Sequence, residues 1–224
     1  MGWLNRVLWI FVSPSRTFAD VREGKVKWWE PWIVQAILAT VAGYIAIPAQ
    51  RAVLELNAHG ATPEQLEQTL GYFDRFKWAQ LAVVPPMMLL VGLALAGITY
   101  VLVTMLSSKA NFRQYFTVTL FASIIGGLSM LVSSAVVRAR GADAIRTPED
   151  AQVSLGLGFL APEGVAHAIL GAIDVFAVWS LVLIGMGLMN VFDMSRRHAV
   201  FCVIPWFLVY LLLSVVGQAF GGMR

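Results

Sequence analysis

Apolar and polar positions along this chain separate into long blocks. Five runs are almost free of charge: residues 31–50, 79–106, 115–137, 168–192 and 199–220, with Asp174 the one ionisable carboxylate inside them. Each reaches roughly the 20 residues a helix needs to cross a hydrocarbon core. Apolar residues are continuous within the runs, without the one-in-two alternation that a membrane β-barrel strand shows over about ten positions. Hydrocarbon offers no partner to a backbone N–H or C=O, so continuous runs of this length are satisfied as helices. The pattern predicts an all-α polytopic membrane protein, a compact bundle of five transmembrane helices. The 79–106 run is long enough to tilt, and Pro85-Pro86 is expected to kink it or delay its regular helix.

Between the runs the pattern changes. In residues 1–30, Trp3, Val7 and Phe11 share one helical face with Leu4 and Leu8 beside it, which suits an interfacial amphipathic helix lying in the headgroup plane. Ser13-Pro14 reads as a stop followed by proline at the first position of a second short helix ending near Arg22. Trp28, Trp29 and Trp32 mark the interface before the first span. The chain is thus expected to divide into an interfacial segment, 1–30, and a transmembrane domain, 31–224. Thr62-Pro63-Glu64-Gln65 forms a capping box, predicting an amphipathic helix with Leu66, Leu70 and Phe73 on one side, resting on the outer face of the bundle. Thr147-Pro148-Glu149-Asp150 is a second predicted helix start.

Composition agrees and sharpens the picture. Hydrophobic residues make up 58% of the 224 and charged residues 13%, about half the typical soluble fraction, so much of the surface faces something other than water. Cys202 is the single cysteine, which precludes an internal disulfide. Trp3 to Val12 is too short, and too interrupted by Arg6, for a signal peptide, so the N-terminus is expected to be retained. The net charge of +3 is better explained by topology than by nucleic-acid binding. The N-terminal segment and the loops 107–114 and 193–198 hold nine Lys/Arg, against seven on the opposite side, and they flank the spans in very short loops. That places the N-terminus in the cytoplasm and the C-terminus outside. Arg6, Arg16, Arg22, Lys25, Lys27, Arg196 and Arg197 are the candidate contacts to anionic lipids.

A carboxylate at membrane depth is costly and draws attention to Asp174. Glu163, His167 and Asp174 stand four and seven residues apart, a spacing that could bring them to one helical face, with Trp179 in mid-span. The functional reading is a proton or substrate path; the plainer one is capping and interhelical hydrogen bonding, with Trp179 as packing. No Walker loop, zinc signature, nucleophile elbow or dinucleotide fingerprint is present, and no catalytic residue, metal ligand or cofactor is assigned. Small residues at four-residue spacing (Ala39 and Gly43, Gly92 and Ala96, Gly217 and Gly221) fit close helix packing and leave a homo-oligomer open.

Several stretches resemble the Yip family, the Ypt/Rab-interacting membrane proteins, in its short prokaryotic form. They are Val12-Ser13-Pro14-Ser15-Arg16-Thr17-Phe18 followed by Trp28-Trp29-Glu30-Pro31-Trp32, then Lys109 to Tyr115, and Asp174-Val175-Phe176-Ala177-Val178-Trp179-Ser180 followed by Gly185-Met186-Gly187. The resemblance implies a five-span fold with a cytoplasmic N-terminus in the bacterial cytoplasmic membrane. It implies no reaction, and with only about thirty residues before the first span the Rab-binding role does not carry over. The expectation is a membrane-organising or adaptor protein without catalytic activity, whose partners are lipids and another protein. The alternatives are a small transporter or channel with Asp174 on the path, and, on the Glu163, His167 and Asp174 spacing alone, an intramembrane hydrolase.

Overall fold

The computed structural model describes residues 2–58, 60–151, 153, 155–161 and 165–221. Among these residues, eight α-helices carry the fold: α1 (Trp3–Val12), α2 (Pro14–Arg22), α3 (Trp29–Asn57), α4 (Pro63–Leu106), α5 (Phe112–Arg140), α6 (Val165–Gly171), α7 (Val175–Phe192) and α8 (Arg196–Gly221). Among the described residues, α3, α4, α5 and α7 are long and apolar enough to cross a membrane. α8 has 26 residues and packs beside α7, α6 and α4. On α3 the charge-free stretch between Glu30 and Arg51 rises about 31 Å, the thickness of a bilayer core.

The helices assemble around α5. Its buried residues run from Tyr115 through Ile125, against α3 on one side and α7 on the other. Gly187 of α7 allows the second approach, since a Cβ there would collide with the Val118 side chain. Gly127 of α5 also lies close to α3, where a Cβ would stand 3.2 Å from the Leu38 Cβ. The main apolar cluster gathers Ile10, Phe18, Val103, Tyr115, Phe121, Leu183, Leu188 and Phe192 at the end that carries α1 and α2, hereafter the near end. A second, small cluster of Ala49, Val137 and Ile145 lies at the far end.

Several expectations are corrected. The predicted outer amphipathic helix and the 79–106 run are one continuous helix, α4, of 44 residues and about 66 Å. Its start is the expected capping box, in which the Thr62 N–H donates to Gln65 Oε1 at 3.0 Å and the Gln65 N–H to Thr62 Oγ1 at 3.3 Å. No glycine or proline separates Phe73 from Pro85, so nothing stops the helix once it is nucleated. Pro85-Pro86 removes two N–H donors yet lies inside the helix. The expected fourth span from residue 168 breaks after Gly171, and α7 restarts at Val175 under a cap from Asp174. On α1, Val7 turns inward with Arg6 and Ile10, while Trp3, Leu4, Leu8, Phe11 and Val12 are exposed. The predicted start at Thr147 becomes a single 3₁₀ turn, Pro148–Ala151, whose Asp150 carboxylate accepts the Arg146 and Thr147 N–H groups.

Candidate functional site

Three polar ties organise the near end. The first centres on Arg6, which α1 presents inward and which is only 8% exposed. Its Nε donates to Asp20 of α2 at 2.9 Å, and its Nη1 donates to both Glu30 carboxylate oxygens at 3.0 and 3.2 Å. Glu30, in the first turn of α3, also accepts the Lys27 N–H, and buried Thr17 donates from Oγ1 to the Arg6 carbonyl at 3.0 Å. One guanidinium therefore joins α1, α2 and α3. Burial works against its charge, and the hydrogen bonds to Asp20 and Glu30 outweigh that and hold its pKa above the ordinary value.

The second tie closes the short loops. Asp193 follows α7 in the left-handed region (φ 52°) as its C-cap residue. Arg22 donates to both its oxygens at 2.7 and 2.8 Å, and Lys109 bonds the same carboxylate. The Lys109 hydrogen bond first, and then the charges of Arg22 and Lys109, hold the Asp193 carboxyl below its usual range despite partial desolvation. Gln114 Nε2 donates to the carbonyls of Val21 and Arg22, and Ser107 Oγ to that of Phe192. The last carbonyls of α2 and α7, which have no partner within their own helices, are thereby satisfied.

The third tie lies inside the bundle. Trp206 Nε1 donates to the Tyr115 hydroxyl at 2.9 Å, and that hydroxyl bonds Thr99 Oγ1 at 2.8 Å. Thr99 Oγ1 in turn donates to the Leu95 carbonyl at 2.8 Å. With Tyr115 donating to Thr99, the proton order is consistent along the chain, and α8, α5 and α4 share one buried network. Tyr100, Phe112 and Phe116 surround it, with Tyr100 edge-on to Phe112 at 5.2 Å and Phe112 stacked on Phe116 at 6.1 Å.

Of the residues singled out in the sequence, Asp174 caps α7: its carboxylate accepts the Ala177 N–H at 2.7 Å, and its backbone pairs with Gly156. His167, on α6, has Nδ1 3.4 Å from the Ala161 carbonyl. Glu163 lies outside the described residues, as does His59. Trp179 packs against the main apolar cluster. Among the described residues, no three His, Cys, Asp or Glu side chains come together. The cations fall into two groups. Arg6, Arg22 and Lys25 are held by carboxylates, Lys25 by Glu23. Arg16 lies over the Trp9 ring at 4.1 Å and Lys27 over Trp29 at 5.8 Å, while Arg196 and Arg197 are exposed without an ion pair among the described residues.

Sequence reasoning passed over Asp20, Glu30, Asp193, Tyr115 and Arg113. Arg6 stands 14 and 24 residues from its partners, separations that no helical period marks. The one readable signal was acidic: Glu30 sits at the mouth of an apolar run, where an unpaired carboxylate would be costly.

The concavities among the described residues include an apolar and a more polar one. One, about 480 Å³, is an apolar groove between α3 and α4 lined by Thr40, Tyr44, Trp78, Leu81 and Pro85. The other, about 160 Å³ and more polar, lies at the near end between the α2–α3 turn and the start of α5. Asp174 lines neither.

The Yip1 domain family matches residues 9–216. The chain is similar to the membrane protein YknW of Bacillus subtilis (strain 168), with 24% identity over 209 residues that cover 92% of this chain and 87% of YknW. No solved structure matches.

Proposed function

The chain belongs to the Yip1 domain family, and from that premise we propose that it is a five-span protein of a bacterial cytoplasmic membrane whose near end is a cytoplasmic docking platform for another protein, without catalysis of its own. The observation that carries this reading is the rigid, basic near end. The Arg6 and Asp193 ties fix α1, α2 and the loops to the bundle, leaving Arg16, Arg113, Arg196 and Arg197 on the outside. A surface held in one shape loses little entropy on binding, which favours recognition.

Charge supports the orientation. The near end and its loops hold nine Lys/Arg and four Asp/Glu; the remaining segments hold seven and nine. An excess of cations in short loops marks the cytoplasmic side. With α8 as the fifth crossing, the C-terminus lies outside. Single cysteines introduced at Arg16 and at Gln65, in a Cys202→Ala background, test this with a membrane-impermeant maleimide. In intact cells Gln65→Cys is labelled and Arg16→Cys is not; the reverse result inverts the assignment.

The adaptor role is tested by extracting the full chain in native lipid nanodiscs and identifying co-purifying proteins by mass spectrometry. A near-stoichiometric partner that is lost in Arg196→Glu/Arg197→Glu supports the platform. Preparations that hold lipid alone from membranes of cells grown under several conditions contradict it.

A further inference from the structure

We propose that the polar concavity at the near end is a phosphate-binding site, occupied by the headgroup of an anionic phospholipid. It measures about 160 Å³, and its walls are Val21 from α2, Gly24 and Val26 from the α2–α3 turn, Asn111 before α5, and Arg113, Gln114 and Thr117 from α5. No carboxylate among the described residues lines it. This separates it from the paired cations of the near end, since Arg6, Arg22, Lys25 and Lys109 each face an acidic group.

Two side chains that line the pocket, Arg113 and Asn111, keep free donors among the described residues. Arg113 is exposed and makes no ion pair or side-chain hydrogen bond among the described residues. Asn111 spends its carbonyl oxygen capping the Gln114 N–H at 3.2 Å, so its amide NH₂ is turned away from that bond and has no partner there. Gln114 and Thr117 have their donors committed, to the carbonyls of Val21 and Arg22 and to that of Arg113, and so fix the walls rather than the ligand. A guanidinium and an amide NH₂ on residues that line a concavity with no carboxylate among its described walls suit a phosphate, which Arg can bind through two parallel hydrogen bonds.

Depth selects the lipid as the source. Gly24 and Val26 immediately precede Trp28 and Trp29, aromatics of the kind that settle at headgroup level. The exposed Leu4, Leu8 and Phe11 of α1 are the apolar surface that seats this end in the interface. The inference rests on the membrane reading and is independent of the adaptor role: a chain that holds lipid here can still lack a protein partner.

The test uses the full chain delipidated in a neutral detergent and native mass spectrometry with equimolar phosphatidylglycerol and phosphatidylcholine. Wild type, Arg113→Gln, Arg113→Lys and Arg197→Gln are compared; Arg197 is an exposed cation at the same end that does not line the pocket. The expected result is a preference for phosphatidylglycerol that falls about tenfold in Arg113→Gln, is partly restored in Arg113→Lys, and changes less than about twofold in Arg197→Gln. Equal losses in Arg113→Gln and Arg197→Gln overturn the site in favour of diffuse surface charge, and an unchanged preference in Arg113→Gln overturns it outright. Glycerol phosphate without acyl chains serves as competitor. Failure to displace the lipid at millimolar concentration confirms the membrane source, and full displacement overturns the lipid assignment in favour of a soluble phosphate.

Discussion

The two ends of this molecule are held together in different ways. At the near end the Arg6 ion pair is buried, its side chain 10% exposed and its Glu30 partner 6%, while the Arg22–Asp193 pair beside it is exposed. At the far end the comparable link, Arg51 to Asp74 at 3.1 Å, joins side chains 45% and 40% exposed, and Asp74 also takes Lys77. The main apolar cluster lies at the near end, and among the described residues the far end has a small core of Ala49, Val137 and Ile145. There α3 and α4 meet through a Tyr44–Trp78 stack at 6.1 Å and the close approach of Gly43 to Leu81, where a Cβ would stand 2.6 Å from Leu81 Cδ2. The difference shows where shape is specified. Buried charges must be paired in one geometry, so α1, α2 and the start of α3 are fixed by Arg6, whereas exposed pairs contribute little and permit movement.

The largest expected effect breaks the near end. Arg6→Ala leaves Asp20 and Glu30 buried without their cation and lowers stability by about 3–5 kcal/mol, read from unfolding in detergent. Replacing Arg6, Asp20 and Glu30 together by leucine or methionine restores most of that loss, because no charge is left to strand. Gly187→Ala comes next: its Cβ meets Val118 and forces α7 away from α5, at a cost of about 1–3 kcal/mol. Tyr115→Phe removes the hydroxyl shared with Thr99 and Trp206, and two interhelical hydrogen bonds within a membrane are together worth about 1–2 kcal/mol. The smallest change is at Asp174: asparagine keeps the cap and stays near wild type, whereas alanine costs about 0.5–2 kcal/mol.

Acid distinguishes the second tie. Because the Asp193 carboxyl is held below its usual range in the folded protein, the stability it contributes is present above its unfolded pKa and is lost as pH falls through the lower folded value. The contact with Arg22 and Lys109 therefore survives from neutral pH to pH ~5 and opens only below the ordinary carboxylate range. Unfolding in detergent from pH 7 to pH 3, compared with Asp193→Asn, follows this directly; a loss of stability relative to that variant between pH 7 and 5 would contradict it.

Much of this architecture was readable in the chain. Long uncharged runs announced helices in a membrane, Ser13-Pro14 announced the α1–α2 break, and Thr62 to Gln65 announced its capping box. The errors have physical causes. Residues 62–75 look amphipathic in isolation, yet nothing between them and the apolar run ends a helix, so both became α4. A run that is apolar from 168 to 192 hides an interruption made by Gly171 and Asp174, because hydropathy records burial and not backbone direction. At the site, the free basic residues were visible as composition. The pairing of Arg6 with Asp20 and Glu30 was not, because it depends on how three helices fold back on one another.

Hydrogen exchange in lipid nanodiscs measures most directly whether residues 3–22 are a fixed part of the bundle. The buried Arg6 tie predicts that amides of α1 and α2 are protected nearly as long as those of the first turns of α5, and that Arg6→Ala releases α1 and α2 while leaving α5 protected. Exchange of α1 and α2 within seconds in the wild type, as in a loosely tethered tail, would contradict the platform.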